Sequence, residues 1–379
     1  MENTYSDLEI TRNDSRILRD SSSKREKIRG LQKEKGKTGI VLSRRENFSW
    51  ITTGGNSTVI NSTHNGIGCL VITQDKHYFI SHSMDGQRII EEQLPGQGYE
   101  LVELKWFETD PFEKALQIAG KNPAADIMTS SGQNLFSQVL DLHYPMTALE
   151  ITRLGWVGKK MNEIYVQMGK FLRSGMIEQE IAAFFQYLQA QAGMISDVLI
   201  VGGDQRIFNY RHPMSGDNKA KKYLMLHSAP NKWGLHAPIT RYFSFGPPGK
   251  ELTYPFKAVA TIQAGVFDML RPGIPYSEIF EFIKGAYAQE GYPDEWQNHF
   301  QGGPTGYMIV DGQRLLSNKM VQEYMPFEWF STVPGAKIAE LTLLGNEKPE
   351  IVSCAEPWPQ HVVELQDRQV KMPGIYEVN

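Results

Sequence analysis

One stretch of ten residues, written twice, constrains this chain more than any other feature. Leu172-Arg-Ser-Gly175-Met-Ile-Glu-Gln-Glu180-Ile181 returns about a hundred residues later as Leu270-Arg-Pro-Gly273-Ile-Pro-Tyr-Ser-Glu278-Ile279. Each copy follows a long helical pattern and leads into a second amphipathic one, which closes at Ala192-Gly193 or Glu290-Gly291. Glycine suits the left-handed backbone that ends a helix, so each copy predicts helix, turn, helix. The repeat is too long for a solenoid and predicts a duplicated α/β unit with a site between its two halves.

The 379 residues exceed one small core and predict two domains. An apolar content of 41% and a charged content of 22% describe an ordinary globular protein. A net charge of −4 argues against nucleic acid and anionic membrane as partners. No apolar run reaches the ~18 residues that span a bilayer. The polar, acidic start MENTYSDLEI lacks the pattern of a secretory signal. Cys69 and Cys354 stand outside any metal spacing and read as two inert thiols in a reducing compartment. The expected location is the cytoplasm.

Residues 1–26 read as a poorly ordered polar arm running into a short amphipathic helix. Strand patterns follow at GIVLS, at Phe48-Ser-Trp-Ile-Thr, and at CLVIT and HYFIS, the last two joined by a hairpin turn. Helices are predicted over 87–93 and 111–119, with the strand LVELKW between them, giving an α/β domain over 27–144. Thr147-Ala-Leu-Glu150 is a capping box, and Pro145 supports a break just before it. The second domain is placed at 145–379.

This order of elements resembles the creatinase, prolidase and aminopeptidase P (M24, pita-bread) family over roughly residues 27 to 370. Asn47-Phe-Ser-Trp-Ile-Thr-Thr-Gly-Gly55 and Asp85-Gly-Gln-Arg-Ile-Ile-Glu-Glu92 look like segments of the creatinase-type N-terminal domain. The duplicated helix–turn–helix and Ile239-Thr-Arg241 look like the pita-bread domain with its internal pseudo-twofold repeat. The implied fold class is α/β (α+β), and the family implies a homodimer.

The family's peptidases hold two metal ions with two Asp, one His and two Glu, to activate water and polarise the scissile carbonyl. Here His227 stands in the strand expected to carry the first Asp, and Pro238 replaces Asp in the expected Asp-Ile-Thr-Arg. His-x-x-Gly-His becomes His299-Phe-Gln-Gly302-Gly303, the closing Glu-Asp becomes Ala339-Glu340, and no Glu stands out for the remaining ligand. A standard dinuclear site is therefore not expected, and no cofactor is assigned. If a substitute mononuclear site exists, its ligands are drawn from His227, His236, His299 and Glu340. The plain alternative for His227 is a satisfied core histidine.

Two positions match the family's proton-handling histidines: His212 in Asn209-Tyr-Arg-His-Pro213, and His299. The resemblance implies that these are the catalytic pair, with Arg211, Arg241, Gln301 and Tyr210 around the substrate. The plain alternative for Arg241 is a structural salt bridge, and Phe327-Glu-Trp-Phe330 reads as core or pocket wall. Metals lost with histidines kept is the pattern of creatinase. The leading expectation is thus a metal-independent hydrolase of a C–N bond in a small carboxylate-bearing or peptide-like substrate. One alternative is a non-catalytic peptide-binding protein. Another is an Xaa-Pro metallopeptidase with an altered site.

Overall fold

Asp14 starts the first helix by accepting a hydrogen bond from Arg16 N at 2.8 Å, and α1 (Ser15–Glu34) follows. The computed structural model describes residue 8 and residues 10–129, 133–346, 348–366 and 368–378. The expected polar arm over 1–26 is thus corrected from Ser15 onward, while residues 1–7 and 9 lie outside the described residues. The helix escapes a reading by composition because its buried stripe contains polar residues, Ser21, Lys24 and Arg25, alongside Ile17 and Ile28. Ser21, Lys24 and Arg25 each find a partner. Ser21 donates to Ile51 O, and Lys24 Nζ reaches Glu150 at 2.6 Å.

The chain divides into two compact units, 1–150 and 151–379. In the first, β1 (Gly39–Arg44), β2 (Asn65–Thr73), β3 (His77–His82), β4 (Glu100–Leu104), β5 (Pro123–Ala125) and β6 (Gln133–Asn134) form one mixed sheet. Its order is β4-β3-β2-β1-β5-β6, with β2 and β3 forming the expected hairpin. The predicted strand at Phe48–Thr52 is instead α2 (Arg45–Ile51). Its cause is Asp126, whose carboxylate accepts from Ser43 N, Arg44 N and Asn47 Nδ2 at 2.8 to 3.0 Å and turns the chain out of the sheet. The helices α3 (Gly86–Glu92), α4 (Pro111–Ala119) and α5 (Phe136–Asp141) complete this unit.

Thr147 and Glu150 cap α6 (Ala148–Phe171), the Glu150 carboxylate accepting from Thr147 N at 2.8 Å. In the second unit α6 leads through a turn at Gly175 (φ 88°) to α7 (Glu178–Gln191). Two-residue β7 (Met176–Ile177) and β9 (Lys219–Ala220) pair beside it. Next come β8 (Ile195–Gly203), the short α8 (Gln205–Asn209), β10 (Tyr223–Lys232), β11 (Leu235–His236) and β12 (Ile239–Phe245). The second copy repeats the scheme with α9 (Lys250–Met269), a turn at Gly273 (φ 84°) and α10 (Tyr276–Gln289). It continues into β13 (Gly302–Pro304), β14 (Met325–Val333), β15 (Ala336–Leu344) and β16 (Pro349–Ile351). The chain closes with the hairpin β17 (Gln360–Glu364) and β18 (Gln369–Pro373), then β19 (Ile375–Val378).

The sheet of the first copy runs β11-β10-β12-β19 with β8 on β10, and that of the second runs β13-β14-β15-β16. The repeated sequence is therefore a repeated substructure, mixed α/β throughout, with the same positive-φ glycine at the same turn. Among the described residues no helix is long and apolar enough to cross a membrane.

Candidate functional site

The hairpin β14–β15 sorts its side chains by register. Residues facing one another across an antiparallel pair point to the same side, and neighbours along a strand to opposite sides. The pairs Glu328↔Leu341, Phe330↔Ala339 and Thr332↔Lys337 define one face, while Trp329↔Glu340 and Ser331↔Ile338 define the other. Both faces are buried, so the alternation separates two kinds of interior.

The first face carries the histidines. The His299 ring lies 5.4 Å from Phe330 and the His227 ring 6.2 Å from it, centroid to centroid. His299 Nδ1 is 2.5 Å from the carbonyl oxygen of Phe300. A carbonyl only accepts, so Nδ1 carries the proton and Nε2 is left as an acceptor. His299 Nε2 lies 3.3 Å from His212 Nε2, which therefore donates to it. The lone pair of His212 then resides on Nδ1, which makes no hydrogen bond among the described residues. This is a base held in one tautomer by a second imidazole, itself held by a backbone carbonyl.

Local chemistry places both rings. Pro213 packs so closely on Gly202 that a Cβ there would lie 2.4 Å from the proline ring. His299 leaves a 3-10 turn (Glu295–Asn298), and Gln301 Nε2 donates to its carbonyl at 2.6 Å and to Trp296 O at 2.9 Å. Gln301 is therefore committed to the loop that carries His299, a correction to its expected contact with substrate. Gly302 (φ 102°) also serves packing, since a Cβ would meet Glu328 O at 2.2 Å. It lets β13 lie on β14 and is not spent on exposing backbone N–H groups to a ligand.

A small cavity of ≈ 110 Å³ is lined by Tyr210 and Arg211, the two residues before His212 in the chain, and by Tyr242, Thr332 and Lys337 among others. Arg211 pairs with Glu295 and donates to Thr332 Oγ1 at 3.2 Å, while Tyr210 is exposed at the rim. Two groups here escaped the sequence reading. Glu328 is 0% exposed and neither carboxyl oxygen has a hydrogen-bond partner; Lys337 is 3% exposed, its ammonium 4.9 Å from the centre of the Phe330 ring. A charged residue inside an apolar strand was the available signal, in Phe-Glu-Trp-Phe and Ala-Lys-Ile-Ala.

Burial dominates the electrostatics of this face. It pushes the Glu328 carboxyl well above its ordinary range and brings Lys337 down to about 8. Burial, then the nearby Lys337 charge, lowers all three histidines: His299 to about 3, His227 well below its usual value, and His212 in the same direction. The three imidazoles are thus held in their basic, neutral form.

The opposite face corrects several expectations. Arg241, expected at the substrate, is 1% exposed and paired with Glu340, with Nη2 3.2 Å from Oε2. It also donates to Ser353 O at 2.6 Å and packs over Tyr165 and Trp358. Its role is structural. The candidate metal set His227, His236, His299 and Glu340 is not assembled. Glu340 is spent on Arg241 and Ser353, and His236 on Asp197 and Gly306 O, each at 2.8 Å. His227 Nδ1 is taken by Thr240 at 2.9 Å, the satisfied histidine of the plain reading. Among the described residues no group of three or more His, Cys, Asp or Glu is placed to hold a metal ion.

A duplicated helix–turn–helix and sheet unit, following a smaller α/β unit, is the pita-bread architecture of the prolidases and dipeptidases. Residues 156–336 match the model of Metallopeptidase family M24. The prolidase of Pyrococcus horikoshii has the same fold, with a TM-score of 0.75 at 17% identity, covering 88% of this chain and 99% of that one. Dipeptidase PepE of Mycobacterium ulcerans gives 0.75 at 16% identity, covering 95% and 98%. An uncharacterized peptidase of Staphylococcus aureus is 24% identical over 196 residues, 49% of this chain and 56% of that protein. The chain spans about half the length of the curated relatives it matches.

The family implies a metal centre, and the residues present do not fit one. Pro238 and Ala339 offer no donor, Gly303 has no side chain, and Glu340 is locked in an ion pair. Lys337 further sets a buried ammonium on the hairpin face that carries Glu328.

Proposed function

We propose that this chain is a hydrolase that cleaves a C–N bond in a small, carboxylate-bearing, peptide-like substrate. The observation that carries the reading is the ordered donor chain His212–His299–Phe300 O, which leaves His212 Nδ1 as a free base. His212 Nδ1 takes a proton from water as its oxygen adds to the carbon of the C–N bond. The resulting tetrahedral adduct collapses as that proton passes to the leaving nitrogen, and the C–N bond breaks. His299 accepts the His212 Nε2–H throughout and so stabilises the imidazolium that forms. The match of residues 156–336 to a metallopeptidase family model supports the reaction class. The test is turnover of a panel of dipeptides and N-carbamoyl or N-amidino amino acids. His212→Ala is expected to lower the rate by about 10²–10⁴-fold; a wild-type rate in that variant overturns the scheme.

The second reading is an Xaa-Pro metallopeptidase with an altered site. The metallopeptidase family match and the prolidase neighbours favour it over metal independence. Its requirement is cation binding, for which the donors described above are poorly suited. Loss of turnover on chelation, with recovery on adding manganese, selects it. A peptide that binds tightly and is never cleaved selects the third reading, a binding protein.

A further inference from the structure

Lys337 brings a nearly buried charge to the lining of a cavity. Among the described residues the Lys337 ammonium has no ion-pair or hydrogen-bond partner, and Lys337 lines the cavity that Arg211, the residue before His212, also lines. Removing an ammonium from water without a partner is costly, and proteins retain such a group where a ligand completes it. Arg211, the other cation of the cavity, already faces Glu295. The Thr332 hydroxyl stands opposite Lys337 on the hairpin. Glu328, on the same face, has no hydrogen-bond donor among the described residues.

We propose that Lys337 takes the role a bound cation plays elsewhere and is the carboxylate-binding charge of this site, receiving a small monocarboxylate or a peptide's terminal carboxylate in the cavity with Thr332 and Arg211. This deepens the hydrolase reading by naming the residue that selects an anionic substrate. The cavity of ≈ 110 Å³ suits one such group and no bulky side chain. Lys337, at about 8, is charged at neutral pH and loses its proton above that value. The groups facing it are Glu328, Arg211, His212, His227 and His299, with Glu295 behind Arg211. Deprotonation of Lys337 and ionisation of Glu328 both weaken the anion, so affinity falls as pH rises through about 8.

The experiment is an NMR titration of the full chain with ¹³C-acetate, using acetamide as the uncharged isostere. Acetate is expected to bind the wild type, at least tenfold more weakly to Lys337→Met, and with near wild-type affinity to Lys337→Arg. The arginine variant guards against a folding defect in the methionine variant. Acetate binding that is equal in Lys337→Met and wild type overturns the proposal, as does acetamide binding as well as acetate. So does a full equivalent of manganese or zinc retained by wild-type protein after desalting, because a cation and the ammonium exclude each other. The His212→Ala turnover test is independent. Its failure leaves acetate binding intact, and failure here leaves the histidine chemistry standing.

Discussion

The two faces of the β14–β15 hairpin bury the same kinds of group and treat them in opposite ways. On one, Glu340 is met by Arg241 and the Ser353 hydroxyl, and Arg241 is surrounded by carbonyls and aromatic rings. On the other, Glu328 and Lys337 are also buried, the Glu328 carboxyl lacks a hydrogen bond, and no ion pair reaches either side chain among the described residues. A buried charge paired with its counter-ion holds the fold together, whereas one left open is retained at a cost to stability. That contrast separates scaffold from site more sharply than residue identity, because both faces offer one acid and one base.

The largest expected effect breaks the satisfied face. Arg241→Ala leaves Glu340 buried without its counter-ion and should cost about 3–5 kcal/mol in denaturant unfolding. The open face should answer in the other direction. Glu328→Met removes an acid with no partner and should stabilise by about 2 kcal/mol at pH 7. The folded-state pKa of Glu328 lies above its unfolded value, so its protonated form favours folding below the unfolded pKa and that contribution is lost as pH rises. The advantage of the methionine variant should therefore be small near pH 4 and grow toward pH 7 in paired melts. A constant advantage would mean that Glu328 is satisfied. The smallest effect sharpens the comparison: Ser353→Ala removes one bond to Glu340 and should cost roughly 1.5 kcal/mol, with turnover unchanged.

What was legible in the sequence was what repeats or sits close along the chain. Gly175 and Gly273 announced matching turns, and Thr147 with Glu150 announced a helix start. The histidine pair was visible through its motif, but its tautomer order needed the Phe300 carbonyl. The Arg241–Glu340 pair joins residues 99 apart, and nothing local marks the two as partners. Glu328 and Lys337 were missed because alternation along a strand usually places charges in water, and here both faces of the hairpin are interior. Helix α1 was hidden for a related reason, its buried stripe being polar and satisfied at a distance by Ile51 O and Glu150.

The most direct test of the proposal that the site runs on its own side chains is the rate of hydrolysis of a short peptide before and after exhaustive chelation, in wild type and His212→Ala. The rate is predicted to survive chelation in the wild type and to be lost in the variant. Hydrolysis that disappears with the chelator, returns with manganese and ignores His212 would contradict the account.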